Sequence, residues 1–314
     1  MLRVDMHEPP SVSRILRTLG FGGSPRAVRM SGGTDTQVWH VQGSAEPAML
    51  RIYPAGAEAA QEKEEAFLRH LGGQGLPVPQ VWASGVLAGD PFLLLSVCAG
   101  RPVGLELRAS PWKAYQLGVR AGEMQARVHL APVTDALRPF GHPWRAALVD
   151  EPLLRDRLDT VPPLPDTLLH MDFHPLNLLT DGARITGAID WISAAVGDPR
   201  HDIARTLVLL RCPRTDRAYN APFIRGVSRV FERGWLEGYA RTSRARPALA
   251  AALGEHRTQA VFLACASVVM AWEMRRIRRR ADLERMRHLT RVWKHAARLP
   301  APPVRTRWSE SGWC

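Results

Sequence analysis

The sequence predicts an α+β protein of two unequal lobes, a small β-rich lobe first and a larger, mainly helical one after it. Three observations carry this. Up to about Val97, short runs of apolar residues are broken by Gly, Pro and Asp, the punctuation of strands and hairpins. From about Ser110, apolar residues return every three to four positions, the period of helix faces. At 314 residues the chain can bury two cores without a disulfide or metal staple. The division falls at residue 99, giving lobes 1–99 and 100–314.

In the first lobe, Ala27–Met30 and Gln37–Val41 read as strands flanking Ser31, Gly32, Gly33 and Thr34, and Ala48–Tyr53 as a third strand stopped by Pro54. Glu58–Leu71 reads as a helix with Ala59, Phe67, Leu68 and Leu71 on its apolar side, closed by Gly72 and Gly73. Strands resume at Val78–Ser84 and Phe92–Val97 around a Gly89-Asp90 turn. In the second lobe, Pro111–His129 is a helix with Ser110 as N-cap and Pro111 in its first position. Its His129 reads as a core histidine. Asp181-Gly182 joins the short strands Leu178–Thr180 and Arg184–Ile189 as a hairpin. Asp198 caps a helix begun by Pro199. Further helices are expected over Ala221–Tyr239, Pro247–Glu273 and Asp282–Ala297.

Composition narrows the class. The four cysteines, Cys98, Cys212, Cys265 and Cys314, are scattered without metal-ligand spacing, which suits a reducing compartment. The N-terminus has no apolar signal segment and no apolar run is long enough to span a bilayer, so the expectation is a cytoplasmic protein without a membrane partner. The formal net charge of +12 comes almost wholly from arginine, and it concentrates from Arg275 to Arg307. There the arginines alternate with Trp272, Met274, Ile277, Leu283 and Met286 at helical spacing, which favours a solvated helix face over a nucleic-acid-binding tail.

The chemistry concentrates in one run. Asp172, Asn177 five residues later and Asp190 thirteen after that surround the predicted hairpin. Each alone is a weak signal: Asp172 could cap a turn, Asn177 could be a turn residue opening a strand, and Asp190 follows an apolar strand, where an ionised carboxylate is costly unless paired or on a metal. Together they form the set that phosphoryl transfer needs. One carboxylate stands beside the attacking hydroxyl, while an amide oxygen and a second carboxylate hold Mg²⁺ on nucleotide phosphates.

The ordered string His170, Asp172, His174, Pro175 and Asn177, then Ile189-Asp190-Trp191, Gly197-Asp198-Pro199 and His201-Asp202-Ile203-Ala204, resembles the aminoglycoside phosphotransferase and choline kinase-like superfamily. The resemblance runs from about Met30 to Leu289. It implies a bilobal protein-kinase-like fold and an ATP- and Mg²⁺-dependent enzyme that phosphorylates a hydroxyl of a small molecule. The first lobe would bind nucleotide, and the second would carry the catalytic loop and the acceptor site. By the same resemblance Asp172 is the catalytic base, Asn177 and Asp190 bind metal, Asp202 braces the catalytic loop and His170 fixes its backbone. His174 supports the site or faces the acceptor. Ser31, Gly32, Gly33 and Thr34 would cover the phosphates. Ser96, Cys98 and Leu179 would surround the adenine.

One departure stands out. The third strand offers Arg51 where such kinases usually carry Lys, with Glu64 as its expected helical partner and Glu65 second. The acceptor stays open among aminoglycoside-like antibiotics, sugars, macrolides and amino alcohols. Glu232, Glu237, Glu255 and Glu273 are candidate carboxylates for a cationic one. Two other classes compete with the enzyme reading: a nucleotide-binding pseudokinase, and a nucleic-acid-binding protein using the basic C-terminal helices. Nothing in the sequence sets an oligomeric state.

Overall fold

The computed structural model describes residues 10–21, 26–30, 36–43, 46–141, 144–211, 222–254, 256–276 and 280–299. It is bilobal. The first lobe holds helix α1 (Pro10–Thr18), strands β1 (Arg26–Arg29), β2 (Gln37–Gln42) and β3 (Ala48–Ile52), helix α2 (Glu58–Gly73), and strands β4 (Val81–Leu87) and β5 (Asp90–Ser96). These strands form one antiparallel sheet in the order β1-β2-β3-β5-β4.

Alternation along the strands divides this lobe into two cores. Trp39 and Val41 of β2, Ala48, Leu50 and Ile52 of β3, and Phe92 and Leu94 of β5 face Val12, Ile15 and Leu16 of α1. The opposite face gives Leu93 and Leu95 to α2, whose Phe67, Leu68 and Leu71 belong to the main core. Arg51 pairs in register with Leu93, so it projects on the α2 side. Helix α1 is absent from the sequence reading. Helix α2 runs two residues beyond the expected Leu71: Gly72 and Gly73 stay helical, and the left-handed turn comes at Gly75, φ +70°. The β4–β5 hairpin turns at Ala88 and Gly89, both at positive φ, rather than at Gly89-Asp90.

The second lobe begins with β6 (Arg101–Pro102), α3 (Val103–Ala109), α4 (Ala114–Leu130), α5 (Trp144–Ala147) and α6 (Pro152–Asp159). Next come β7 (Thr167–Leu169), β8 (Leu178–Thr180), β9 (Ile185–Ala188) and β10 (Ala195–Gly197). The chain closes with α7 (Pro199–Arg211), α8 (Pro222–Ser243), α9 (Pro247–Ala250), α10 (His256–Arg276) and α11 (Arg280–Ala296). Several expected boundaries differ: β4 covers Val81–Leu87 rather than Val78–Ser84, and α8 runs on past Tyr239 to Ser243. Pro111–Lys113 is a separate 3-10 turn ahead of α4, and Ser110 makes no side-chain cap. The single helix expected over Pro247–Glu273 breaks at Gly254, between a 3-10 turn and α10. Asp198 does cap α7, with its Oδ1 accepting the Arg200 N–H at 2.9 Å.

Helices α4 and α8 cross with their backbones touching. A Cβ added at Gly122 would lie 2.0 Å from the Trp235 carbonyl oxygen, and one at Gly238 would lie 2.0 Å from that of Val119. Only glycine fits, and the approach brings the next turns of both helices together. No helix among the described residues is long and apolar enough to cross a membrane.

Candidate active site

The hairpin β8–β9 builds the centre. Leu178 pairs with Ala188, and one step further the Ile189 N–H donates to the Asn177 carbonyl at 2.9 Å. That register puts Asn177 beside Ile189 and hence next to Asp190, residues far apart in sequence. Asn177 Nδ2 donates to the Asp172 carboxylate at 2.8 Å and to the Asp172 carbonyl at 3.0 Å. With the amide nitrogen so committed, its oxygen is left to accept a cation. Asp190 sits at φ +68°, a left-handed conformation that Asp tolerates better than most residues. Its side chain keeps 35% of its exposure and that of Asp172 27%, so both carboxylates are open to ligands.

The two histidines of the loop have defined roles. His170 Nδ1 accepts the Asp172 N–H at 3.2 Å, so Nε2 carries the proton and donates to the Ile189 carbonyl at 3.1 Å. Burial, against the pull of Asp202 and Asp172, keeps this imidazole below its ordinary pKa and therefore neutral. His174 Nδ1 accepts the Leu176 N–H at 3.2 Å, which leaves Nε2–H to face Asp172 Oδ2 at 3.5 Å. Burial raises the Asp172 carboxyl, but His174 and the Arg205 charge outweigh it and hold the group well below the usual carboxylate range.

Asp202 lies beneath the loop, fully buried, with four hydrogen bonds. It accepts the backbone N–H of His170 at 3.2 Å and of Met171 at 2.6 Å, His129 Nε2 at 2.9 Å and Gln125 Nε2 at 2.9 Å. Met171 is at φ +64°, and those bonds hold it there. His129 and Gln125 are themselves fixed from α8, by Tyr239 at 2.7 Å and Trp235 at 2.8 Å. Despite burial, the partners depress the Asp202 pKa to about 2. The i,i+4 pairs Gln125/His129 and Trp235/Tyr239 were the missed signal, since each puts two polar tips on one helix face.

Across the cleft, Arg51 Nη1 reaches Glu64 Oε1 at 3.0 Å and Asp190 Oδ1 at 2.9 Å. Glu65 turns elsewhere, to Gln61, Arg69 and Ser84. Tyr53 donates its hydroxyl to Glu64 Oε2 at 2.5 Å, a contact the sequence reading did not include. Ser31, Gly32, Gly33 and Thr34 lie outside the described residues. Ser96 sits at the end of β5, where its N–H donates to the Gln80 carbonyl and its Oγ accepts the Gln80 N–H. Its backbone N–H is thus spent within the lobe. Burial pushes the Cys98 thiol up to about 11, and Cys98 and Leu179 both abut Gly187. Of the candidate acceptor carboxylates, Glu232 pairs with Arg211, Glu237 with Tyr115 and Glu273 with Arg205, while Glu255 lies outside the described residues.

Comparison with known proteins fits this geometry. A profile of the phosphotransferase enzyme family matches residues 26–243. The chain belongs to that family. An aminoglycoside 3′-phosphotransferase of Niallia circulans is 26% identical over 226 residues, covering 65% of this chain and 86% of the relative. Among solved structures, a thermostable mutant of aminoglycoside phosphotransferase APH(4)-Ia, in ternary complex with AMP-PNP and hygromycin B, superposes with a TM-score of 0.64. Its identity is 16%, covering 92% of this chain and 99% of that one. Macrolide 2′-phosphotransferase MphH from Brachybacterium faecium gives 0.57 at 20% identity, covering 95% and 100%. The phosphotransferase is thus an enzyme acting on small molecules, with the kinase-like fold.

Proposed function

We propose that this phosphotransferase moves the γ-phosphoryl group of ATP, or another nucleoside triphosphate, with Mg²⁺, to a hydroxyl of a small molecule. One observation carries the reading: Asp172, Asn177 and Asp190 converge with the amide nitrogen of Asn177 tied to Asp172 and its oxygen left over. The donor set fits a hard cation that takes few protein oxygens: Asn177 Oδ1 and Asp190 would hold it. Bound Mg²⁺ supplies neutralisation of charge on the phosphate oxygens. Arg51 would supply fixed positive charge to the nucleotide; its Nε is buried and meets no acceptor among the described residues. Ser31 to Thr34 would cover the phosphates, and the backbone about Val97 and Cys98, with Leu179, would receive the base. In this reading lobe 1–99 binds nucleotide and lobe 100–314 carries catalysis and the acceptor.

Asp172, held ionised and oriented by Asn177 and His174, aligns the acceptor hydroxyl and takes its proton as the new P–O bond forms. His170 and Asp202 act through the loop backbone. The acceptor is an aminoglycoside- or macrolide-like antibiotic, the classes that the relatives' names give, or a sugar or amino alcohol. The test is Asp172→Asn. Phosphorylation of the best acceptor should fall by about a thousandfold or more while nucleotide affinity stays within a few-fold. Turnover at the parent rate would remove Asp172 from its role.

A further inference from the structure

The arginine that replaces lysine on β3 raises a geometric problem, and Tyr53 supplies the answer. A lysine is a point donor, whereas a guanidinium facing a buried carboxylate tends to close on it as a two-pronged fork. A fork of that kind would turn two of the arginine's nitrogens toward Glu64 and away from any phosphate.

The fork is not formed here. Arg51 meets Glu64 through Nη1 alone, which lies 3.0 Å from Oε1 and 3.1 Å from Oε2, and the same nitrogen donates to Asp190 at 2.9 Å. Nε is buried and meets no acceptor among the described residues. Glu64 Oε2 also accepts the Tyr53 hydroxyl at 2.5 Å, and the Trp191 backbone bonds the same carboxylate. Position follows from strand geometry. Tyr53 extends β3 by one residue, its N–H donating to the Pro91 carbonyl at 2.9 Å. Lying two residues after Arg51, it points to the same face and reaches the same carboxylate of α2. Glu64 and Tyr53 are 1% and 2% exposed, so water does not compete for these bonds.

We infer that Tyr53 is a positioning residue whose hydroxyl occupies Glu64 so that Arg51 stays single-pronged and keeps its other nitrogens for nucleotide phosphates. Asp190, sharing Nη1, is the ligand that Arg51 gives up when a nucleotide arrives. The inference rests on the nucleotide reading above and is particular to an arginine at this strand position.

A double-mutant cycle tests it, read by calorimetric titration of AMP-PNP with Mg²⁺ and by thermal unfolding. Tyr53→Phe should weaken nucleotide binding about tenfold and raise KM for ATP more than it lowers kcat. In the Arg51→Lys background, where no fork can form, the same change should cost less than about twofold. Equal losses in both backgrounds, or loss of folding in both, would make the hydroxyl an ordinary structural bond and overturn the inference. Binding unchanged by Tyr53→Phe alone would overturn it too, leaving the nucleotide reading intact. A parent protein that binds no nucleotide overturns both.

Discussion

Two charged clusters serve this site, and they are built on opposite plans. Around Asp202, in the second lobe, one buried carboxylate accepts four hydrogen bonds, and the side chains that give two of them are fixed in turn from α8. Around Arg51, at the cleft, a single cation is shared by Glu64 and Asp190, a donor is left over, and Asp190 is one-third exposed. A fully satisfied network has one arrangement and resists change. A shared, under-satisfied one can pass a partner to a ligand at small cost. The first plan suits a brace and the second a binding site.

The largest way to break the contrast is Asp202→Ala. It leaves the backbone N–H groups of His170 and Met171 and the Nε2–H of His129 without their acceptor in the interior, while Gln125 keeps Thr206 and Trp235, for a loss of about 3–5 kcal/mol in urea unfolding. Activity should vanish with it. If stability holds within 1 kcal/mol, measured at about the precision of such titrations, Asp202 is no brace. Gly122→Ala attacks the same network from a distance, since its Cβ would sit 2.0 Å from the Trp235 carbonyl. An overpacking cost of about 3 kcal/mol is expected, together with lower kcat.

Acid should find the brace helix in two steps. Burial lowers His201 from 6.5 to about 4, so the unfolded chain takes up its proton first. Stability carried by the neutral ring is present above pH 6.5 and is lost as pH falls toward 4, by at most about 3 kcal/mol. Asp202, lowered from 3.8 to about 2, contributes above 3.8 and loses that contribution as pH falls toward 2, by about 2 kcal/mol. Unfolding free energy against pH should show both slopes. His201→Phe, set beside Phe262 with which the ring now packs at 4.8 Å, should flatten only the upper one. The smallest effect belongs to the exchange cluster. Glu64→Gln should cost about 1 kcal/mol of stability, since the amide oxygen still accepts from Tyr53 and Arg51, yet it should weaken nucleotide binding measurably.

The two clusters also differed in how well the sequence disclosed them. Asp172, Asn177 and Asp190 stand in one ordered run that hairpin register draws together, whereas Asp202, on α7, entered through the family resemblance. Arg51 followed from its place on a strand. Tyr53 was hidden because an aromatic residue at a strand end has a default reading as core, and its hydroxyl matters only through α2. The partners of Asp202 were hidden because α4 and α8 meet through a long-range crossing that no local pattern fixes. The same holds for α1, whose apolar face has meaning only once the sheet it covers exists. Gly254 was passed over because one glycine inside an apolar run does not always end a helix.

The glycine contact between α4 and α8 has a kinetic consequence. Helices held apart by side chains can approach through a series of loosely packed distances, with water leaving gradually. Where backbone meets backbone there is no such series, because any spacing short of contact leaves the Gln125–Trp235 and His129–Tyr239 bonds unmade. Docking of these two helices should therefore be an all-or-none event in refolding. Catalytic competence should then return in step with it, rather than with the earlier recovery of helix content.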